Sequence, residues 1–326
     1  MKTEQGKIST LKNAVNNFVN DGCHLSIGGF TINRNPMAVI HEIIRQKKKD
    51  LHLFAHSNGQ GLDELIGAGC VSKVELAYAG SGKFAPTCIN FMKATQEQKI
   101  IVEDYSNFQM GLRFLAGAMG VPFLPTKSSL GSDIIEKWGF SKEMRKKEKN
   151  IPDKKLIVIN NPFDDDESSE KVVLVPAINP DVTIIHVQKA DKYGTCRIEG
   201  LTFADIEQAK AAKHLIITCE ELLQTDEIKK DSDRNQIPFM FADAVIHQPY
   251  GAYPTACYNY YDYDPIYLKE YANFASEQNE NTFQDYLSKY IYNVKDHDEL
   301  LKIVAKNRLK TIKANHETGY SKGMKR

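Results

Sequence analysis

The segment Asp21-Gly22-Cys23-His24-Leu25-Ser26-Ile27-Gly28-Gly29-Phe30 constrains the fold more than any other part of the chain. An Asp-Gly turn leads into a short apolar run. The run stops at two glycines, and after Asn35-Pro36 the apolar spacing becomes helical. Strand, glycine turn and helix in this order open a βαβ unit. Glycines at the carboxyl end of a strand let backbone approach a ligand, because no Cβ intervenes, and in open α/β sheets ligands bind at that end. The same residues would equally make a tight strand-to-helix turn with no ligand.

The pattern recurs. Residues 51–55 read as a second strand, ending in Ser57-Asn58-Gly59-Gln60-Gly61, and residues 74–79 as a third, ending in Gly80-Ser81-Gly82. Helical spacing fills 8–19, with Ser9-Thr10 as cap, then 36–44 and 62–66. This alternation predicts an α/β fold: an open, mostly parallel, doubly wound sheet with right-handed crossovers and three glycine loops along one rim. Residues 100–103 read as a fourth strand, 110–119 as a helix, and 172–175 as a return to the sheet. The near-continuous apolar runs 182–187 and 214–219 predict strands buried on both faces. Helices follow at 203–213 and 220–230, with a last short strand at 244–247. The whole chain, 1–326, reads as a single domain. It carries a charged, solvated excursion at about 141–170 and a helical C-terminal extension at about 287–326.

Composition narrows the function. Lys plus Arg and Asp plus Glu are both 42 in 326 residues, so the net charge is zero, and no global field draws nucleic acid or an anionic membrane. No apolar run reaches the roughly 18 residues of a membrane span, and the polar start, 1–11, is unlike a secretory leader. The six cysteines contain no C-x-x-C pair and read as reduced thiols. The nine histidines are dispersed, and His52 and His56 fall on a strand, so no metal is expected. These features predict a soluble cytoplasmic enzyme.

Several chemistries fall away. Gly28-Gly29 lacks the third glycine of G-x-G-x-x-G and no acid ends the second strand, which weakens a dinucleotide reading. There is no G-x-x-x-x-G-K-[ST] and no G-x-S-x-G. What remains is the glycine rim and Glu103, a carboxylate at a strand end, which suits a nucleophile or base and suits equally a solvated strand-end acid. The run 128–133 offers hydroxyls and N–H groups to an anionic substrate, or an N-cap for a helix at Ile134-Ile135. Six tyrosines between Tyr250 and Tyr263 suit a subunit interface or a pocket wall; a base-stacking surface would want interleaved Arg and Lys.

Asp21-Gly22, Ser26-Ile27-Gly28-Gly29-Phe30 and Pro36 together resemble the A-subunit signature of the family I coenzyme A transferases, in particular the glutaconate-type alpha subunits. Val102-Glu103-Asp104-Tyr105-Ser106, Gly120-Val121-Pro122-Phe123-Leu124-Pro125, Asn160-Asn161-Pro162-Phe163 and Pro180-Asp181-Val182 extend the resemblance. So do Asp243-Ala244-Val245, Pro249-Tyr250-Gly251-Ala252 and Tyr261-Asp262-Tyr263-Asp264, carrying it to about Asp298.

The resemblance implies that A and B subunits pair across a cleft, as A2B2 or a multiple, and that CoA thioesters are substrates with no permanent cofactor. It implies a ping-pong transfer of CoA from an acyl-CoA such as acetyl-CoA to an acid such as glutaconate, through a glutamyl-CoA thioester on the B subunit. It assigns substrate contacts to Gly28, Gly29 and Phe30, to Ser57, Asn58 and Gly59, to Ser81, and to Ser129, Gly131 and Ser132. This chain has Asn58 where the B-type loop carries its glutamate, so alone it should not catalyse transfer. Relatives that hydrolyse or decarboxylate CoA thioesters use the same scaffold, some with an A-subunit glutamate resembling Glu103. That leaves a hydrolase or decarboxylase subunit, and a non-catalytic CoA- or acid-binding protein, as alternatives.

Overall fold

The computed structural model describes residues 6–148, 150–164, 170–276, 280–304 and 306–322. Its strands are β1 (His24–Ile27), β2 (Leu51–Asn58), β3 (Val71–Ala79), β4 (Ile101–Asp104), β5 (Phe123–Thr126), β6 (Ile157–Asn160), β7 (Lys171–Pro176), β8 (Val182–Asp191), β9 (Cys196–Arg197), β10 (His214–Leu223) and β11 (Ala244–His247). Its helices are α1 (Leu11–Phe18), α2 (Met37–Arg45), α3 (Gln60–Gly67), α4 (Ile89–Gln96), α5 (Asn107–Met119), α6 (Lys142–Lys147), α7 (Asp205–Ala211), α8 (Thr225–Lys230), α9 (Pro265–Ser276), α10 (Glu280–Leu287), α11 (His297–Ile303) and α12 (Lys306–Ile312).

The main sheet runs β11-β10-β8-β1-β2-β3-β4, with β9 antiparallel on β8 and all other pairings parallel. The chain winds outward from β1 to β4 on one side, then from β8 to β11 on the other. This is the doubly wound α/β arrangement predicted from the glycine-ended strands, and its winding reverses between β1 and β8. Gly28-Gly29 follows β1 at that reversal.

Local chemistry sets the elements. Thr10 caps α1 through Asn13 N–H (3.2 Å). Ser106 and Gln109 form a reciprocal capping box on α5, which Gly120 ends at φ 71°. Gly117 lets α5 lie against the chain after β7 and against α7, since a Cβ there would stand 2.0 Å from Ile178 O and 3.0 Å from the Ala211 Cβ. One large core lies between the sheet and α1 to α4 with the C-terminal helices, and a second lies under α5.

Several expectations are corrected. Residues 172–175 do not rejoin the main sheet. They lie in β7, the middle of a separate antiparallel sheet, β5-β7-β6. Only Val173 and Val175 point inward, the alternation of a sheet with one covered face. Residues 220–223 continue β10 alongside β8 and are not helical. No helix begins at Ile134. Ser129 (φ 72°) and Gly131 (φ 75°) take left-handed backbone, and the chain proceeds as successive turns.

The excursion is not simply solvated, though 149 and 165–169 lie outside the described residues. Arg145 and Lys155 are buried within it. Arg145 donates to both carboxylate oxygens of Glu103 and to Pro152 O (2.8 Å), and Lys155 Nζ to Lys137 O (2.8 Å) and Asp104 Oδ1 (3.2 Å). The segment thus covers β4, the otherwise open edge of the main sheet.

Helical structure at the C-terminus begins at Pro265, earlier than expected, and 305 and 323–326 lie outside the described residues. Tyr271 and Tyr286 fasten this part to α3 through Asp63 Oδ2 (2.8 Å) and Glu64 Oε1 (2.7 Å). The tyrosine cluster is partly internal, with Tyr250, Tyr258 and Tyr260 half-buried. Tyr253 and Tyr261 are buried, donating to Asp264 Oδ2 (2.5 Å) and Glu220 Oε1 (2.6 Å). Phenols so deeply placed need internal acceptors, and these carboxylates supply them.

Helix α5 is pinned to the sheet by a buried pair, Arg113 Nη1 to Glu75 Oε2 (2.5 Å). Burial alone would raise the Glu75 carboxyl. The Arg113 guanidinium and the His52 ring together outweigh it and bring the group down to about 2 from its ordinary 4.5. Its stabilising effect is therefore present above pH 4.5 and is lost as pH falls towards 2. Chemical denaturation across pH should find Glu75→Gln less stable by about 3 kcal/mol at neutral pH, because Arg113 is left without its counter-charge. The gap between variant and parent should narrow steadily below pH 4.5. A gap that is constant with pH would contradict this assignment.

Candidate active site

The rim at the carboxyl ends of β1, β2 and β3 is built by close backbone approach. Gly59 lies where a Cβ would meet Gly80 O (2.6 Å), Ser81 Oγ (2.7 Å) and Thr31 O (2.7 Å), so only glycine lets the three loops touch. Gly29, at φ 84°, faces the carbonyls of Asn33 and Arg34, each 2.6 Å from a would-be Cβ. Thr31 N–H donates to Ser57 O (3.0 Å) and Gly80 N–H to Asn58 O (3.0 Å), stitching the loops together.

The polar groups assigned here from the sequence are mostly committed inside the chain. The amides of Gly28, Gly29 and Phe30 donate to Ile184 O (2.9 Å), Asp205 Oδ1 (2.8 Å) and Asn33 O (2.8 Å). These three amides are therefore not free to cradle an anion. Asn58 Nδ2 donates to Gly28 O (3.0 Å) while its Oδ1 accepts from Leu62 N–H (3.1 Å). Ser57 Oγ donates to Asn107 Oδ1 (2.5 Å), and Ser81 N–H to Ala85 O (2.7 Å). All of these residues except Phe30 are buried.

What the rim presents outward is mostly apolar. The Phe30 ring is half-buried and stacks on Phe203 (4.9 Å between centroids, 12° between planes). His56 lies beside it (5.9 Å) with Nε2 3.0 Å from Asn107 O. Burial lowers the His56 pKa, which keeps the ring neutral at neutral pH. Leu201, whose carbonyl accepts from Arg34, and Phe108, next to Asn107, are 74% and 60% exposed.

Sequence reasoning missed the residues that hold the rim. Asp205, fully buried, accepts from Gly29 N–H and from Arg34 Nη2 (2.8 Å). Arg34 Nη1 also donates to Leu201 O (3.0 Å), and its guanidinium lies 5.6 Å from the Phe203 ring centre. Asp205 could have been noticed only as an acid at a helix start; its partner, 171 residues away, leaves no local signal.

The structure does not gather every expected residue. Glu103 does not face the rim. It is fully buried, and beside Arg145 it accepts from Gly139 N–H (3.1 Å), Phe140 N–H (3.1 Å) and Tyr105 OH (3.1 Å). Its register partner on β3 is Glu75, four residues before that strand ends, so it lies below the rim. Ser129, Gly131 and Ser132 are anchored elsewhere. Ser132 N–H and Oγ both bond Ser129 O, while Leu130 packs on the core under α5. Among the described residues all six cysteines are buried. The rim thus offers closely packed walls, with no free carboxylate or thiol among its described residues.

Known proteins share this arrangement. The sequence model of the Coenzyme A transferase family matches residues 8–248. The A subunit of glutaconate CoA-transferase from Acidaminococcus fermentans is 40% identical over 314 residues, covering 96% of this chain and 97% of that protein. The A subunit of 3-oxoadipate CoA-transferase from Pseudomonas knackmussii is 32% identical, over 93% of this chain and 99% of that one. The crystal structure of the Acidaminococcus enzyme superposes with a TM-score of 0.92 at 39% identity, covering 97% of this chain and 98% of that chain. With a matching family model, a relative of this similarity along nearly its whole length and the same doubly wound sheet, the chain belongs to the coenzyme A transferase family.

Proposed function

We propose that the chain is the A subunit of a heteromeric CoA-transferase that moves CoA between an acyl-CoA and a carboxylic or dicarboxylic acid. The observation that carries this reading is the rim itself: a preformed, apolar face at the winding reversal, whose loop amides and Asn58 side chain are already bonded within the chain. Such a face suits a protein that walls a site and receives the reacting group from a second chain. The similarity to proteins named as the A subunits of CoA-transferases supports the same division of labour.

In this reading the thioester carbonyl of the acyl-CoA is attacked by a glutamate of the B subunit. A mixed anhydride forms and CoA leaves as thiolate. The thiolate attacks the glutamyl carbonyl of the anhydride, expels the acyl group as its carboxylate, and leaves a glutamyl-CoA thioester. The acceptor acid repeats the sequence in reverse, restoring the glutamate carboxylate and departing as its own CoA thioester. Covalent relay divides one difficult exchange into easier steps. The Phe30–Phe203 stack would exclude water from the anhydride, and close packing around Gly29 and Gly59 would hold that wall rigid. No metal takes part in these steps, and the enzyme would assemble as A2B2 or a multiple.

The test is to purify the chain alone and together with its B-type partner, then follow exchange from acetyl-CoA to glutaconate and to other acids. The pair should catalyse exchange and the chain alone should not. Exchange by the chain alone, or none by the pair with any acid, would contradict the proposal. Glu103 separates the hydrolase reading. Since its carboxylate is bound by Arg145 and two amides, Glu103→Gln should destabilise the chain by about 3 kcal/mol through the unpaired guanidinium. The folded fraction should nonetheless retain its exchange rate. Near-total loss of turnover in folded, fully assembled enzyme would instead favour a catalytic Glu103.

A further inference from the structure

We propose that His24, His52 and Glu148 form a site for a divalent transition-metal ion of the zinc class, at the amino ends of β1 and β2. The proposal rests on their geometry alone and is independent of the transferase reading.

His24 and His52 are register partners on adjacent parallel strands, so their side chains stand side by side on one face of the sheet. Their ring centres are 4.5 Å apart. Glu148, just past α6, comes over the pair, and one ligand atom from each of the three residues lies within 4.8 Å of the others. Small rotations of the half-exposed Glu148 would close this to the spacing of a coordinated ion. Two imidazoles and a carboxylate are a donor set that zinc takes, leaving a further position for water.

A second observation points to a missing ligand. His52 is 1% exposed, yet its Nδ1 has no hydrogen-bond partner. Its Nε2 lies 3.0 Å from Glu75 Oε1. Buried imidazole nitrogens without partners are costly and uncommon. A metal on one nitrogen would use it, and Glu75 beside the ring is placed as the carboxylate that orients a metal-bound histidine. Of the three residues, His24 also lines a cavity of about 220 Å³, with Phe54, Glu75, Arg113 and Pro152. Lys73 Nζ holds Glu148 Oε1 at 2.9 Å. A monodentate carboxylate can keep that contact and give its other oxygen to the ion.

The other close group of such residues, His186, Glu220 and Cys257, differs in this respect. His186 is already bonded through both nitrogens, to Thr218 Oγ1 and Glu220 Oε1 (2.8 Å each). A metal at the proposed site would tie the segment carrying Arg145 to the amino ends of the sheet.

The experiment uses the full-length, tag-free chain stripped by a chelator and titrated with Co2+, followed by Zn2+ competition. It should bind about one Co2+ per chain, with the strong visible bands of a low-coordinate ion, bleached by Zn2+. His24→Gln should abolish the bands. Glu148→Gln, at a half-exposed position that leaves the fold intact, should weaken binding at least ~10-fold. Far-UV circular dichroism checks folding, and should His24→Gln fail to fold, Glu148→Gln decides alone. Absence of saturable Co2+ or Zn2+ binding at micromolar metal, or binding unchanged in Glu148→Gln, would overturn the proposal.

Discussion

Asp205 holds together the two halves of the sheet where they meet. Its carboxylate takes the Gly29 amide after β1 and the Arg34 guanidinium a few residues later, while its own helix follows the β8 side of the winding reversal. Removing two charges from water costs several kcal/mol per ion, and the pair recovers this only with good geometry and further hydrogen bonds. Arg34 finds those bonds on Leu201 O and Thr202 O. The same side chains therefore fix the Gly28-Gly29 loop, the Phe203 ring that stacks on Phe30, and the exposed Leu201 segment. The second rim contact sets Gly59 against Gly80, Ser81 and Thr31, the last of which lies two residues after Gly29.

This changes what the glycines are for. Read as sequence, Gly28-Gly29 suggests backbone left open to a ligand. In the fold, the amides of Gly28 to Phe30 all donate within the chain, and the missing Cβ atoms make room for neighbouring loops. The rim is rigid because its polar groups satisfy one another, and its outward chemistry is aromatic. In the proposed function a wall of that kind would exclude water and position substrate, since the described residues of the rim include no free carboxylate or thiol.

The fold was legible because its signals are local. Strand, glycine turn and helix repeat three times within the first 82 residues, and the buried strands at 182–187 and 214–219 announce themselves as continuous apolar runs. Contacts between distant residues were not legible. Arg145 sits in a stretch so rich in charge that a solvated face was the natural reading, yet it neutralises Glu103, 42 residues earlier, and so helps cover the edge strand β4. Asp63 and Glu64 gave no sign that tyrosines more than 200 residues later would seek them as acceptors. His24 and His52 became neighbours only through the register of two parallel strands. Periodicity reports which face of an element is buried; it does not report which charge lies opposite.

The central claim is that this chain builds the wall and another chain carries the covalent intermediate. Intact-mass measurement of both proteins after incubation of the assembled enzyme with acyl-CoA, quenched in acid, tests it most directly. The account predicts an unmodified mass for this chain and a CoA adduct on the B subunit. An adduct on this chain, with the partner unmodified, would contradict it.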